Sequence, residues 1–153
     1  MLLAYQRDAG FPACSTRLFS IYGERERPDK LYPKVIDSIL NDRPFPFYEG
    51  SEKHLRSFTY VGDVVDGFVS ILNNYEKCIG EIFNLGFDSA ITVGEGLKII
   101  EDYLGKKAIY DIKPPRPGDQ LETRATIDKA RRVLGYNPVT TPQEGLKKEV
   151  DWF

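Results

Sequence analysis

The chain has 153 residues, 41% of them hydrophobic and 29% charged, the size and balance of one ordinary soluble globular unit. Its 21 Lys and Arg against 23 Asp and Glu leave a net charge of −2, which argues against the basic footprint of a nucleic-acid binder or a membrane-surface protein. No apolar run approaches a membrane span, and the N-terminal MLLAYQRDAG lacks the apolar core and basic flank of a secretory signal, so a cytoplasmic setting is expected.

The opening stretch, Met1 to Phe11, reads as the tail of a helix with no N-terminal cap before it. STRLFSIYG predicts a short buried strand from Thr16 to Tyr22, which runs into a loop crowded with charge at Glu24, Arg25, Glu26 and Arg27 before Pro28. LYPKVIDSILND then places Leu31, Val35, Ile36, Ile39 and Leu40 on one helical face, stopped by Asn41, Asp42 and Pro44. In RPFPFYEG, Pro44 and Pro46 cannot donate to a central ladder, so this is an edge-type segment. RSFTYV predicts a strand from Arg56 to Val61. Asp63 follows as the expected N-cap of a helix whose Val64, Val65, Phe68, Val69 and Leu72 face a core. EIFNLG reads as a further short strand, and Thr92 with Glu95 forms a capping box for a helix that Gly105 stops. KAIYDI is the next strand. Beyond it, Thr126 to Leu134 predicts a short basic helix closed by Gly135, and Thr141-Pro142-Gln143-Glu144 caps a last amphipathic helix reaching Phe153. Alternating strands and helices, with no internal repeat, indicate an α/β or α+β unit.

The loop PPRPGD carries the clearest candidate site. A solvated arginine needs no bracing, yet Arg116 stands among Pro114, Pro115 and Pro117, which reduces the entropy lost on binding and favours a fixed anion contact. A guanidinium there can grip phosphate at two points, and Asp119 can accept from ribose hydroxyls. Arg56 has two readings of equal standing: a second anion contact beside Arg116, or a strand-end arginine paired with Glu49 or Glu52. Phe45, Phe47 and Tyr48 suit either a core or a platform for a base. His54, the sole histidine, lies in a polar loop and weakens any His-based metal site or triad. Cys14 and Cys78 read as buried free thiols, and Glu101 and Asp102 as solvated carboxylates. No Gly-x-Gly-x-x-Gly or Gly-x-x-x-x-Gly-Lys-Ser cradle is present, and no catalytic residue is expected in this chain.

Taken in order, RLFSIYGERERPD, RPFPFY, RSFTYVGDVVDG, IFNLG, PPRPGDQLETRAT, DKARRVLGYNP and EGLKKEVDWF resemble the C-terminal half of the extended short-chain dehydrogenase/reductases, the NAD-dependent nucleotide-sugar epimerases and dehydratases. The resemblance covers nearly the whole chain. It implies a Rossmann-type α/β fold reduced to its last sheet strands plus a small α/β substrate-binding domain, with residues 1–153 forming one substrate-binding portion. It also implies that a glycine-rich NAD site and a catalytic Tyr-x-x-x-Lys lie upstream of Met1, that NAD is the cofactor, and that the full-length protein is a homodimer.

RERPD and the terminal Asp-Trp-Phe are most similar to the branch that epimerises UDP-glucuronate at C4 through a 4-keto intermediate. Dehydratases and UDP-glucuronate decarboxylases share most of these segments, and a non-catalytic nucleotide-sugar binding module is the other alternative. Carried over by position, the resemblance assigns Arg56 and Arg116 to the substrate diphosphate and Asp119 to the ribose. Pro46, Phe47 and Tyr48 go to the base, Asn84 near the phosphates, Lys30 and Leu31 along the phosphate and sugar, and Arg27 to a uronate carboxylate.

Overall fold

A computed structural model describes residues 1–153 as a mixed α/β molecule built around two apolar clusters. The elements are α1 (Leu2–Ala9), β1 (Ser15–Leu18), β2 (Ile21–Tyr22), α2 (Leu31–Leu40), β3 (Pro44–Tyr48), β4 (Leu55–Arg56), β5 (Thr59–Tyr60), α3 (Val61–Asn73), α4 (Tyr75–Cys78), β6 (Ile82–Leu85), β7 (Ile91–Thr92), α5 (Val93–Leu104), β8 (Ile109–Lys113), β9 (Glu122–Thr123), α6 (Asp128–Leu134) and α7 (Pro142–Trp152). No helix is long and apolar enough to cross a membrane.

Capping sets the helix ends as their sequences dictate. Thr92 and Thr141 each accept from the backbone of a glutamate three residues on, and that glutamate's carboxylate reaches back to the threonine N–H, so α5 and α7 both begin in a capping box. Gly105 and Gly135 close α5 and α6 in the left-handed region, at φ 63° and 67°.

The strands are short and mostly parallel. β1 pairs with β6, β2 with β5 and β3 with β8, while β4 lies between an antiparallel β7 and a parallel β9. The prolines of β3 are tolerated because that strand has a single neighbour. The expected strand over Thr16–Tyr22 is broken into β1 and β2 at Ser20, whose φ of 31° cannot continue an extended ladder. Likewise Arg56–Val61 is two short pairings in different sheets, and Val61 already belongs to α3.

Two expectations for α3 are corrected. Asp63 is not the N-cap, which is Tyr60. Asp63 is buried in the first turn, where its carboxylate accepts from the N–H groups of Val139 and Thr140 at 3.2 and 3.1 Å and so ties down the approach to α7. The helix buries Val64, Gly67 and Ile71, whereas Val65, Phe68, Val69 and Leu72 are exposed. The apolar residues of α3 run almost all the way round the helix, so periodicity alone could not identify the inner face; Gly67, packed against Leu85 and Tyr136, marks it.

Glu101 is also unlike its expected reading. It is buried, and its carboxylate accepts from Lys107 Nζ, the Ala108 N–H and the Tyr110 hydroxyl, which fixes the start of β8 on the end of α5, while Asp102 beside it is exposed. Cys78 is a buried free thiol, but Cys14 is only half-buried.

The first cluster is formed by Tyr22, Tyr32, Phe45, Leu97, Ile100, Leu146 and their neighbours from α2, β3, α5 and α7. The second joins Ile71, Phe83, Leu85, Ala130, Leu134 and Tyr136 from α3, β6 and α6. The candidate site stands over the first.

Candidate functional site

A cleft of about 450 Å³ opens where β3 and β8 end and β4 begins, within the size range of small-molecule sites. The proline loop forms one wall. It leaves β8, which pairs with β3 from Pro44↔Ile109 to Tyr48↔Lys113, and enters β9, which pairs with β4 at Leu55↔Glu122 and Arg56↔Thr123. The loop is therefore anchored to two sheets, with Gly118 turning it at φ 81°. The Arg116 guanidinium lies 4.1 Å from the centroid of the Tyr48 ring, and one of its nitrogens is 3.8 Å from Asp119.

Arg56 reaches the same cleft from β4. Its guanidinium donates to Leu55 O at 2.8 Å and to Gln120 O at 2.6 Å, and none of its partners is a carboxylate. The expected alternative of a pair with Glu49 or Glu52 is not formed. Lys30 and Leu31 line the opposite side at the start of α2, and Pro46, Phe47 and Tyr48 line it from β3. Phe45 serves the core instead and is buried.

A second cavity, sharing Ser20, Ile21, Tyr22, Glu26 and Lys30 with the first, is also lined by Arg25 and Arg27. Arg27 is exposed and lies 3.3 Å from Asp29. Asn84 stands apart from both cavities: on β6, it donates to Thr126 O at 2.8 Å and links that strand to the chain before α6. Eight of the ten residues singled out thus line the main cleft, Arg27 the adjoining one, and Asn84 neither.

Sequence reasoning missed Glu26 and His54 as lining residues. Glu26 is half-buried, and burial pushes its carboxyl up to about 7 against the opposing pull of Lys30. His54 presents its backbone carbonyl to Val93 N–H at 2.9 Å, a role no sequence pattern announces.

A Tyr-x-x-x-Lys spacing does occur in the chain, at Tyr103 and Lys107. It spans the C-terminal end of α5, with Tyr103 bonded to Asp151 and Lys147, and Lys107 to Glu101. Neither residue lines a cavity described above, so the spacing is structural.

The sequence profile of the NAD dependent epimerase/dehydratase family matches residues 1–86. The chain is 37% identical, over its whole length, to the uncharacterized protein MJ1055 of Methanocaldococcus jannaschii, covering 46% of that protein. It is 36% identical to UDP-glucuronate 4-epimerase 4 of Arabidopsis thaliana, with 97% of this chain and 37% of that protein aligned. Among solved structures, the UDP-glucuronic acid 4-epimerase of Bacillus cereus, in complex with UDP-glucuronic acid and NAD, superposes with a TM-score of 0.90 at 31% identity, covering 97% of this chain and 47% of that one. The chain therefore spans less than half the length of these relatives, and it matches the C-terminal portion of Rossmann-type structures.

The fit of NAD to this chain's own residues can be judged from its helix starts. The two helices that directly follow short strands, α3 and α5, begin at Val61 and Val93 behind the N-caps Tyr60 and Thr92, and the Thr92 cap is occupied by its own capping glutamate. Neither is preceded by a glycine-rich phosphate turn, so these residues do not themselves form a dinucleotide site.

Proposed function

The chain belongs to the NAD dependent epimerase/dehydratase family, and on that premise we propose that it is the nucleotide-sugar-binding portion of a sugar-nucleotide epimerase acting at C4 of UDP-glucuronate or a related UDP-hexose. One observation carries the reading: two arginines from distant segments, Arg56 and Arg116, line a single cleft, Arg56 bonded only to backbone carbonyls and Arg116 set over the Tyr48 ring with Asp119 3.8 Å away. A diphosphate brings two negative charges, and paired guanidiniums match them in number and geometry.

In this reading Arg56 and Arg116 hold the diphosphate, and Asp119 accepts from the ribose. The backbone of Pro46 and Phe47, with the Tyr48 ring, borders the base. Lys30 and Leu31 run along the phosphate and sugar, and Arg27 in the adjoining cavity meets the uronate carboxylate. The anchored proline loop lets these contacts act without first ordering a flexible segment. The hydride chemistry at C4 is supplied by NAD, and this chain's share is to bind and orient the nucleotide sugar.

Calorimetric titration of the chain with UDP, UDP-glucuronate and dTDP tests the proposal. Micromolar binding of UDP and UDP-glucuronate is expected. Absence of heat with every nucleotide would contradict a preformed site.

A further inference from the structure

Beneath the cleft lies a cluster of polar groups that the proposed chemistry does not use. Glu149, on the inner face of α7, is fully buried, and no hydrogen-bond donor reaches either of its carboxylate oxygens at full geometry. Oε2 of Glu26, in the loop between β2 and α2, is likewise buried and unpartnered, and its carboxyl and that of Glu149 act directly on each other. The hydroxyls of Tyr22 and Tyr32, in the same cluster, have no partner either.

An ionised carboxylate in such a place needs a cation, and none pairs with Glu149. The groups that act on it are Glu24 and Glu26, with the Gly23 N–H as a partial offset. Tyr22 from β2 and Tyr32 from α2 border it, and Tyr60 and Asp63 act on Tyr22. Lys148, the neighbouring cation on α7, is turned to the Tyr60 ring, 4.5 Å away. Lys30 and Arg27 draw Glu26 toward its charged form, and Asp29 opposes them. The Tyr22 and Tyr32 hydroxyls border the pair without bonding to it and the Gly23 N–H offsets only part of the charge, so a proton between the two carboxyls is what lets them satisfy each other.

We propose that Glu26 and Glu149 share one proton, and that this bond makes Glu149 a positioning residue, holding the loop from Gly23 to Lys30 against α7 so that Arg27 and Lys30 stay at the cavity mouths. Glu26 lines both cavities, so whatever fixes its carboxyl fixes the loop that carries those cations. Burial first, and then the charge of Glu26, raises the Glu149 carboxyl to about 9. Because the folded state holds the proton more tightly than the unfolded one, the stability it contributes is complete below the unfolded carboxyl value of about 4.3 and is lost as pH rises toward the folded value.

Three measurements on the chain, wild type and Glu149→Gln, test this. The melting temperature of the wild type is expected to fall between about pH 6 and about pH 9, and that of Glu149→Gln to stay flat, because the amide donates at every pH. Over the same range the backbone amide resonances of Gly23 to Lys30 should shift in the wild type and not in the variant. The third arm rests on the proposed function: affinity for UDP-glucuronate should fall by about tenfold in the wild type and hold in Glu149→Gln.

Equal pH dependence of melting and of the loop resonances in both proteins would overturn the shared proton. If those two arms behave as expected and UDP-glucuronate binds with the same pH dependence in both, the positioning role fails. No binding of UDP-glucuronate at any pH counts against the nucleotide-sugar reading alone, and the first two arms still decide the pair. Should Glu149→Gln not fold, Glu26→Gln carries the same tests with the same expected outcomes.

Discussion

Arg116 carries its charge at any accessible pH, so what the protein controls is where that charge points. The Tyr48 ring on one side and the doubly anchored proline loop behind it hold the guanidinium toward the cleft. Arg116→Ala is expected to weaken UDP binding by about tenfold to a hundredfold, the range of one charge-assisted contact. Arg116→Lys should restore little of this, since an ammonium neither stacks flat on the tyrosine nor grips two oxygens, and both effects are read by calorimetry. Arg27→Leu should leave UDP affinity close to that of the wild type and abolish the preference for UDP-glucuronate over UDP-glucose; an unchanged preference would remove Arg27 from uronate recognition. Arg116 was legible in the sequence because its bracing is written beside it in three prolines. The position of Arg56 was not, since it depends on Gln120 O, supplied from the far side of the proline loop. Glu149 was invisible for a related reason: on a helix of mixed charge, only the packing of β2 and α2 against α7 reveals that this glutamate faces inward.

At the scale of elements, two helices approach the floor of the cleft more closely than side chains normally permit. A Cβ at Gly96 of α5 would overlap the hydroxyl of Tyr32, and one at Gly145 of α7 the hydroxyl of Tyr22. Both rings are buried among the first cluster, so a new methyl must displace a packed aromatic side chain. Gly96→Ala and Gly145→Ala should therefore each cost about 1 to 3 kcal/mol, although alanine is the better helix former, as measured by denaturant unfolding. The Glu101 anchor gives a pH dependence of opposite sign to that of Glu149. Its carboxylate is held below the usual range by Lys107, the Ala108 N–H and the Tyr110 hydroxyl, which together outweigh its burial. Its contribution is present above the unfolded carboxyl value and is lost as pH falls through the folded one. Glu101→Gln should accordingly flatten the acid limb of the stability profile. Capping boxes and closing glycines were readable because a helix end is a local matter of three or four residues. The break at Ser20 and the inner face of α3 were not, because both are decided by which strand or side chain packs opposite.

At the scale of the whole molecule, the first apolar cluster floors the cleft, while the side of α3 that carries Val65, Phe68, Val69 and Leu72 is open to solvent. Beside the second cluster, β1 and β6 form a sheet of only two strands, and Leu18 on β1 is exposed. Such a surface favours association, so the chain is expected to show concentration-dependent self-association in sedimentation velocity, and an ideal monomer would contradict that expectation. The α/β class was legible from the alternation of strand and helix patterns, and the family from seven segments in fixed order. The cleft itself was not, since it forms only when the β3–β8 pair and the β4–β9 pair meet across one loop. The most direct measurement is a crystal structure of the chain grown with UDP. The account predicts the diphosphate between the guanidiniums of Arg56 and Arg116, with the uracil beside Tyr48. A diphosphate bound elsewhere, for example on the basic face of α6, would contradict it.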